Sequence, residues 1–181
     1  VVMRKVILFN DNYVFEKEGK KENVTLPHTW NAVDGQSASD YYRGECTYTR
    51  SFAKPELHAG DELYLEINGA NSSSEVSLNG KVLAAHDGGY STYHVNLTNE
   101  LLDTNELQIK VNNSPNDHVY PQKADFTFYG GLYRDVKLIT VAESHFDLDY
   151  YGGKGFYVTP EMKEDGSAEV RFDAYVCGEA D

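Results

Sequence analysis

The stretch Glu75-Val76-Ser77-Leu78-Asn79-Gly80-Lys81-Val82-Leu83 decides the fold class. Two short runs, each mixing apolar and polar residues, flank Asn79-Gly80. A type I′ turn needs φ > 0 at both central positions, and Asn followed by Gly accepts this at least cost. The stretch therefore predicts a tight antiparallel hairpin. Upstream, Leu63, Leu65 and Ile67 alternate with Glu62, Tyr64 and Glu66, the pattern of a half-buried strand. Cys46, Tyr48, Arg50 and Phe52 alternate in the same way with Thr47, Thr49 and Ser51. Downstream come Tyr93, Val95 and Leu97, then Leu107, Ile109 and Val111, then Val136 to Val141. Residues 3–15 predict an edge strand and a turn through Asn10-Asp11-Asn12. The longest helix candidate, Leu97 to Leu107, has no sustained 3.6-residue period. Seven or eight short strands separated by Asn, Gly and Asp turns predict an all-β chain, most simply a jelly-roll β-sandwich over residues 1–142.

The tail has a different character. His145 to Tyr150 and Ala168 to Val176 alternate like strands, joined by a Gly- and Pro-containing stretch. Two strands alone are marginal in water. Phe146, Leu148, Val170, Phe172 and Val176 are expected to need a partner sheet, so residues 143–181 read as the truncated start of a second domain.

Composition narrows the function classes. Tyr (14) and Phe (8) far outnumber Met (2), which favours strands over helix bundles. A net charge of −13 opposes binding to nucleic-acid phosphates and to an anionic membrane surface. Cys46 and Cys177 lie far apart without ligand spacing, so neither a disulfide framework nor a zinc site is expected. No metal and no cofactor is expected either. The start, Met3 to Asp11, is too short in apolar residues for a signal peptide, and a cytoplasmic protein is the expectation.

The chain also carries an ordered series of short motifs: Leu26-Pro27-His28-Thr29-Trp30-Asn31, Tyr42-Arg43-Gly44 with Tyr48 and Arg50, Val76 to Gly80, His86-Asp87-Gly88-Gly89-Tyr90, Asn96-Leu97-Thr98 and Val111-Asn112-Asn113-Ser114. The series closes with Asp125-Phe126-Thr127-Phe128-Tyr129-Gly130-Gly131-Leu132-Tyr133-Arg134-Asp135-Val136. As a set it resembles the N-terminal sandwich of family 2 glycoside hydrolases, and the last motif is most similar to β-galactosidases. The resemblance implies a galactose-binding-domain-like jelly roll, followed at 143–181 by the first strands of an immunoglobulin-like sandwich. It further implies a (β/α)8 barrel, outside this chain, that holds both catalytic glutamates. The expected activity is hydrolysis of terminal β-galactosides by the full-length retaining enzyme. Its partners would be the sugar and the enzyme's own C-terminal domains, with self-association left open. A free-standing carbohydrate-binding module and a purely structural or oligomerisation domain are the rival readings.

No catalytic residue is expected within the chain. Asp147 and Asp149 mimic a carboxylate pair by spacing and read as a solvated strand face. Through the resemblance, Asp125 is the candidate substrate-binding carboxylate, because an ionised carboxylate accepts sugar hydroxyls or meets a cation. Arg43 lies in a loop that approaches the pocket in relatives and is the second candidate, with an ion pair as its alternative role. Trp30 reads as a core or interface plug, His28 as a structural hydrogen-bonder, and Arg134 with Asp135 as a pair at a strand start.

Overall fold

Residues 4–37, 40–121 and 123–178 are described by the computed structural model. The first strands are β1 (Lys5–Leu8), β2 (Tyr13–Lys17), β3 (Lys20–Val24), β4 (Glu45–Ala53) and β5 (Glu62–Ile67). They are followed by β6 (Ser73–Leu78), β7 (Lys81–Asp87), β8 (Tyr93–Asn96), β9 (Thr104–Asn112) and β10 (Val136–Val141). These ten build two antiparallel sheets, ordered β1-β10-β5-β8 and β3-β2-β4-β9-β6-β7. Most sheet neighbours are not consecutive in sequence, so the chain passes repeatedly from one sheet to the other, as in a jelly roll. The β6–β7 turn takes the form its residues predict, with Asn79 at φ 53° and Gly80 at φ 83°.

The core lies between the sheets and follows the alternation. Leu63, Leu65 and Ile67 from one sheet meet Tyr48, Val76, Leu78, Leu107, Ile109 and Val111 from the other. Trp30 joins this core as expected, with its ring stacked 6.0 Å from Phe15. His28 Nδ1 lies 2.8 Å from Tyr48 Oη, the structural role foreseen for it.

The outer face of β5 departs from expectation. β5 is not simply half-buried, because Tyr64 is only 4% exposed on the face opposite the core. It packs there with Ile139, Val141 and Leu148 in a second apolar cluster. Leu148 therefore finds its partner on the first sandwich rather than awaiting another sheet. Periodicity shows which residues share a face, but not that a distant segment will cover that face.

The remaining strands are β11 (His145–Phe146), β12 (Phe156–Met162), β13 (Ala168–Ala174) and β14 (Val176–Cys177). β11 pairs with β14 and β12 with β13, making two small two-stranded sheets. Phe146, Val170, Phe172 and Val176 are exposed. Asp147 and Asp149 lie beyond β11 rather than on one strand face, and the Asp149 amide donates to Asp147 Oδ1 at 2.7 Å. Both cysteines are free thiols: Cys46 is buried in β4, and Cys177 is half-buried in β14.

Candidate functional site

The longest irregular connection among the described residues joins β9 to β10, and it contains Asp125 to Asp135. It folds against a second loop, described over residues 25–37 and 40–44, at one end of the sandwich. Two glycines make that approach possible. A Cβ on Gly130 would lie 2.0 Å from Trp30 Cζ2, and one on Gly131, at φ +131°, would lie 2.4 Å from the His28 carbonyl oxygen. Only residues without side chains fit there.

A buried polar network then fastens the two loops together. Asn31 Nδ2 donates to Asp34 Oδ1 at 3.0 Å and to the Tyr42 carbonyl at 2.9 Å. Its Oδ1 accepts from the Gly130 amide at 2.8 Å and from Asn113 Nδ2 at 3.3 Å. Asn113 Nδ2 also donates to the Phe128 carbonyl at 2.9 Å, while its Oδ1 accepts from the Gly44 amide at 2.9 Å. Two bonds complete the joint at its rim: Thr127 Oγ1 donates to the Gly35 carbonyl at 2.8 Å, and the Phe128 amide donates to Tyr41 Oη at 3.0 Å. Burial works against the charge on Asp34, but the Tyr42 amide, Asn31 and the nearby Lys17 hold its carboxyl below the usual range.

Arg43 sits on this joint, and Asp125 lies two residues before Thr127, the nearest residue in sequence bonded into it. Arg43 Nε donates to the Asn113 carbonyl at 2.7 Å, and its guanidinium carbon stands 4.8 Å from the centre of the Phe128 ring. No carboxylate pairs with Arg43 among the described residues. Asp125 is exposed, and its carboxylate makes no hydrogen bond or ion pair among the described residues. It precedes Phe126, whose ring lies 5.0 Å from that of Phe128. The carboxylate is thus free to accept hydroxyl donors, on a loop that is anchored nearby.

Arg134 and Asp135 do not pair with one another. Arg134 Nη1 donates to the carbonyls of Asn68 and Tyr90, and Asp135 Oδ1 accepts from Asn10 Nδ2 at 2.8 Å. Beside the joint, Thr29, Asn71, Tyr90, Thr127, Tyr129 and Tyr133 line a concavity of about 290 Å3. Its polar atoms are largely committed internally: Thr29 Oγ1 donates to the Gly130 carbonyl, Asn71 Nδ2 to the Tyr129 carbonyl, and Tyr133 Oη to the Gly89 carbonyl. A larger cavity of about 400 Å3 lies elsewhere, between Arg4, Val141, His145 and Val176. Among the described residues, no cluster of His, Cys, Asp and Glu is arranged to hold a metal ion.

Sequence reasoning missed Asn31, Asp34 and Asn113 as site-building residues. Asn113 contacts Asn31 across 82 positions, and Gly130 meets Asn31 across 99. No local pattern encodes such a contact; Asn31 and Asn113 stood within the quoted motifs Leu26 to Asn31 and Val111 to Ser114, but nothing in those motifs shows that the two side chains meet.

Residues 20–148 match the family model described as the glycosyl hydrolase 2 galactose-binding domain-like domain. The chain belongs to glycoside hydrolase family 2. The curated β-glucuronidase of Bacteroides fragilis is 34% identical to this family 2 chain over 175 residues, covering 92% of the chain and 25% of that protein. The crystal structure of an FMN-binding β-glucuronidase from Facaelibacterium prausnitzii L2-6 superimposes with a TM-score of 0.90 at 43% identity, covering 97% of the chain and 28% of its own. That of a putative β-galactosidase from Bacteroides fragilis gives 0.87 at 29% identity, with 94% and 28% covered. The family 2 chain thus spans about a quarter of the length of these relatives. Relatives of both names match it, so the motif from Asp125 to Val136 does not by itself select β-galactosidases.

Proposed function

We propose that this chain is the N-terminal supporting domain of a longer retaining β-glycosidase, with Asp125 and Arg43 at the rim of the sugar pocket. The observation that carries this is the uncommitted Asp125 carboxylate on a loop anchored by buried hydrogen bonds, in a chain of family 2. A retaining glycosidase needs two carboxyl groups roughly 5–5.5 Å apart. On this reading that pair belongs to a barrel outside residues 1–181, and residues 143–181 open the immunoglobulin-like domain leading to it. The exposed apolar residues of β12 and β13 support that second assignment.

The substrate is a terminal β-linked glycoside of a hexose or a hexuronic acid. A β-glucuronide is favoured by the relatives at 43% and 34% identity. A β-galactoside is the second reading, supported by the Asp125-to-Val136 motif and by the putative β-galactosidase at 29% identity.

The test compares turnover of 4-nitrophenyl β-glucuronide and 4-nitrophenyl β-galactoside by the full-length protein that contains this chain. Asp125→Ala should lower kcat/KM for the preferred substrate by about a hundredfold, the scale on which a misplaced sugar loses rate. An unchanged kcat/KM would remove Asp125 from the pocket. Purified residues 1–181 alone should turn over neither substrate.

A further inference from the structure

Asn31 and Asn113 are 0% and 1% exposed, yet neither lies in the apolar centre of the sandwich. Both stand at its end, where they meet backbone groups of loops that no sheet ladder satisfies. An Asn side chain offers two donor hydrogens and an oxygen with two lone pairs. Asn31 uses all of this capacity, on Asp34, Tyr42, Gly130 and Asn113. Asn113 adds the bonds to Phe128 and Gly44, and its carbonyl holds Arg43. A buried network satisfied to this degree rigidifies what it joins, and an apolar pair of the same size would leave these backbone groups unpaired. The groups joined here belong to the two loops that carry Arg43 and Asp125.

We propose that Asn31 and Asn113 are positioning residues for the sugar pocket: their amide pair locks residues 31–36 and 40–44 to the 125–131 segment, so that Asp125 and Arg43 are held in one fixed relation. This rests on the reading of Asp125 as a sugar-binding residue, and the two fail in different experiments. Neither Asn touches substrate; each acts through the loop it holds.

The test is steady-state kinetics and thermal melting of the full-length protein carrying Asn31→Ala, Asp125→Ala or both. Positioning predicts that Asn31→Ala raises KM for the aryl glycoside about tenfold or more, with kcat less affected. It also predicts that the double variant loses less than the product of the two single losses, because part of what Asn31 does is to hold Asp125. Independent, multiplying losses would overturn the proposal, as would a lowered melting temperature with KM unchanged. A silent Asp125→Ala would instead sink the sugar reading beneath it.

If Asn31→Ala does not fold, Thr127→Val and Tyr41→Phe take its place. Thr127→Val deletes the rim bond to Gly35, and Tyr41→Phe deletes the acceptor of the Phe128 amide, both at partly buried positions. Each should raise KM severalfold without lowering the melting temperature by more than a few degrees. An unchanged KM in both would overturn the proposal.

Discussion

At the residue scale, Glu66 and Gly130 illustrate two kinds of constraint. Glu66 Oε2 lies 2.9 Å from His94 Nε2, and its Oε1 accepts from Lys137 Nζ at 2.9 Å. Chiefly the hydrogen bond to His94, then Lys137, depress its carboxyl to about 2 against the opposing effect of burial. A carboxyl depressed on folding stabilises fully above its unfolded value of 4.5, and that contribution is lost as pH falls towards about 2. Glu66→Gln should therefore lower stability by about 2 kcal/mol near neutral pH, the range for a hydrogen bond to a charged group. It should also flatten the decline of the melting temperature between pH 4.5 and 2, as followed by circular dichroism. Gly130 is constrained by space alone. With Trp30 Cζ2 2.0 Å from the place a Cβ would take, Gly130→Ala should cost about 3 kcal/mol in urea denaturation, because the neighbour is a buried ring with nowhere to move.

At the element scale, alternation located the strands well but said little about their second faces. Leu63, Leu65 and Ile67 point into the core where the pattern placed them, and the Asn79-Gly80 turn has the required positive φ at both residues. The coverage of Tyr64 by Leu148 was not legible, because it depends on how the tail returns across the sheet. The same holds at the site: Asp125 and Arg43 came from a resemblance between motifs, whereas the Asn31–Asn113 joint came only from the folded loops. Leu148 offers a direct test of the return. Leu148→Ala should cost about 2–5 kcal/mol if its cluster is part of the cooperative structure. Limited proteolysis with mass spectrometry should then show cleavage around residues 143–155 well before the sandwich is cut. Unchanged protection there would mean that other contacts hold the tail.

At the scale of the whole molecule, one sandwich presents two loops at its end and packs the start of the tail on the outward face of its four-stranded sheet. The β12–β13 hairpin beyond it leaves Phe172 and Val170 in water. Strands β4 and β9, at the middle of the larger sheet, run side by side from Glu45 with Asn112 to Ala53 with Thr104. Cys46 sits in that pairing at 2% exposure, and burial pushes its thiol up to about 12. Only the thiolate reacts with alkylating reagents, so Cys46 is silent at pH 8 while the sheet is closed. Cys177, half-buried at the edge of the tail, should react first. The chain thus contains a slow clock beside a fast one. The lag between the first and second mass increments on iodoacetamide treatment should report the fraction of time the whole sandwich is open, and a loss of about 3 kcal/mol in Gly130→Ala should shorten it roughly a hundredfold.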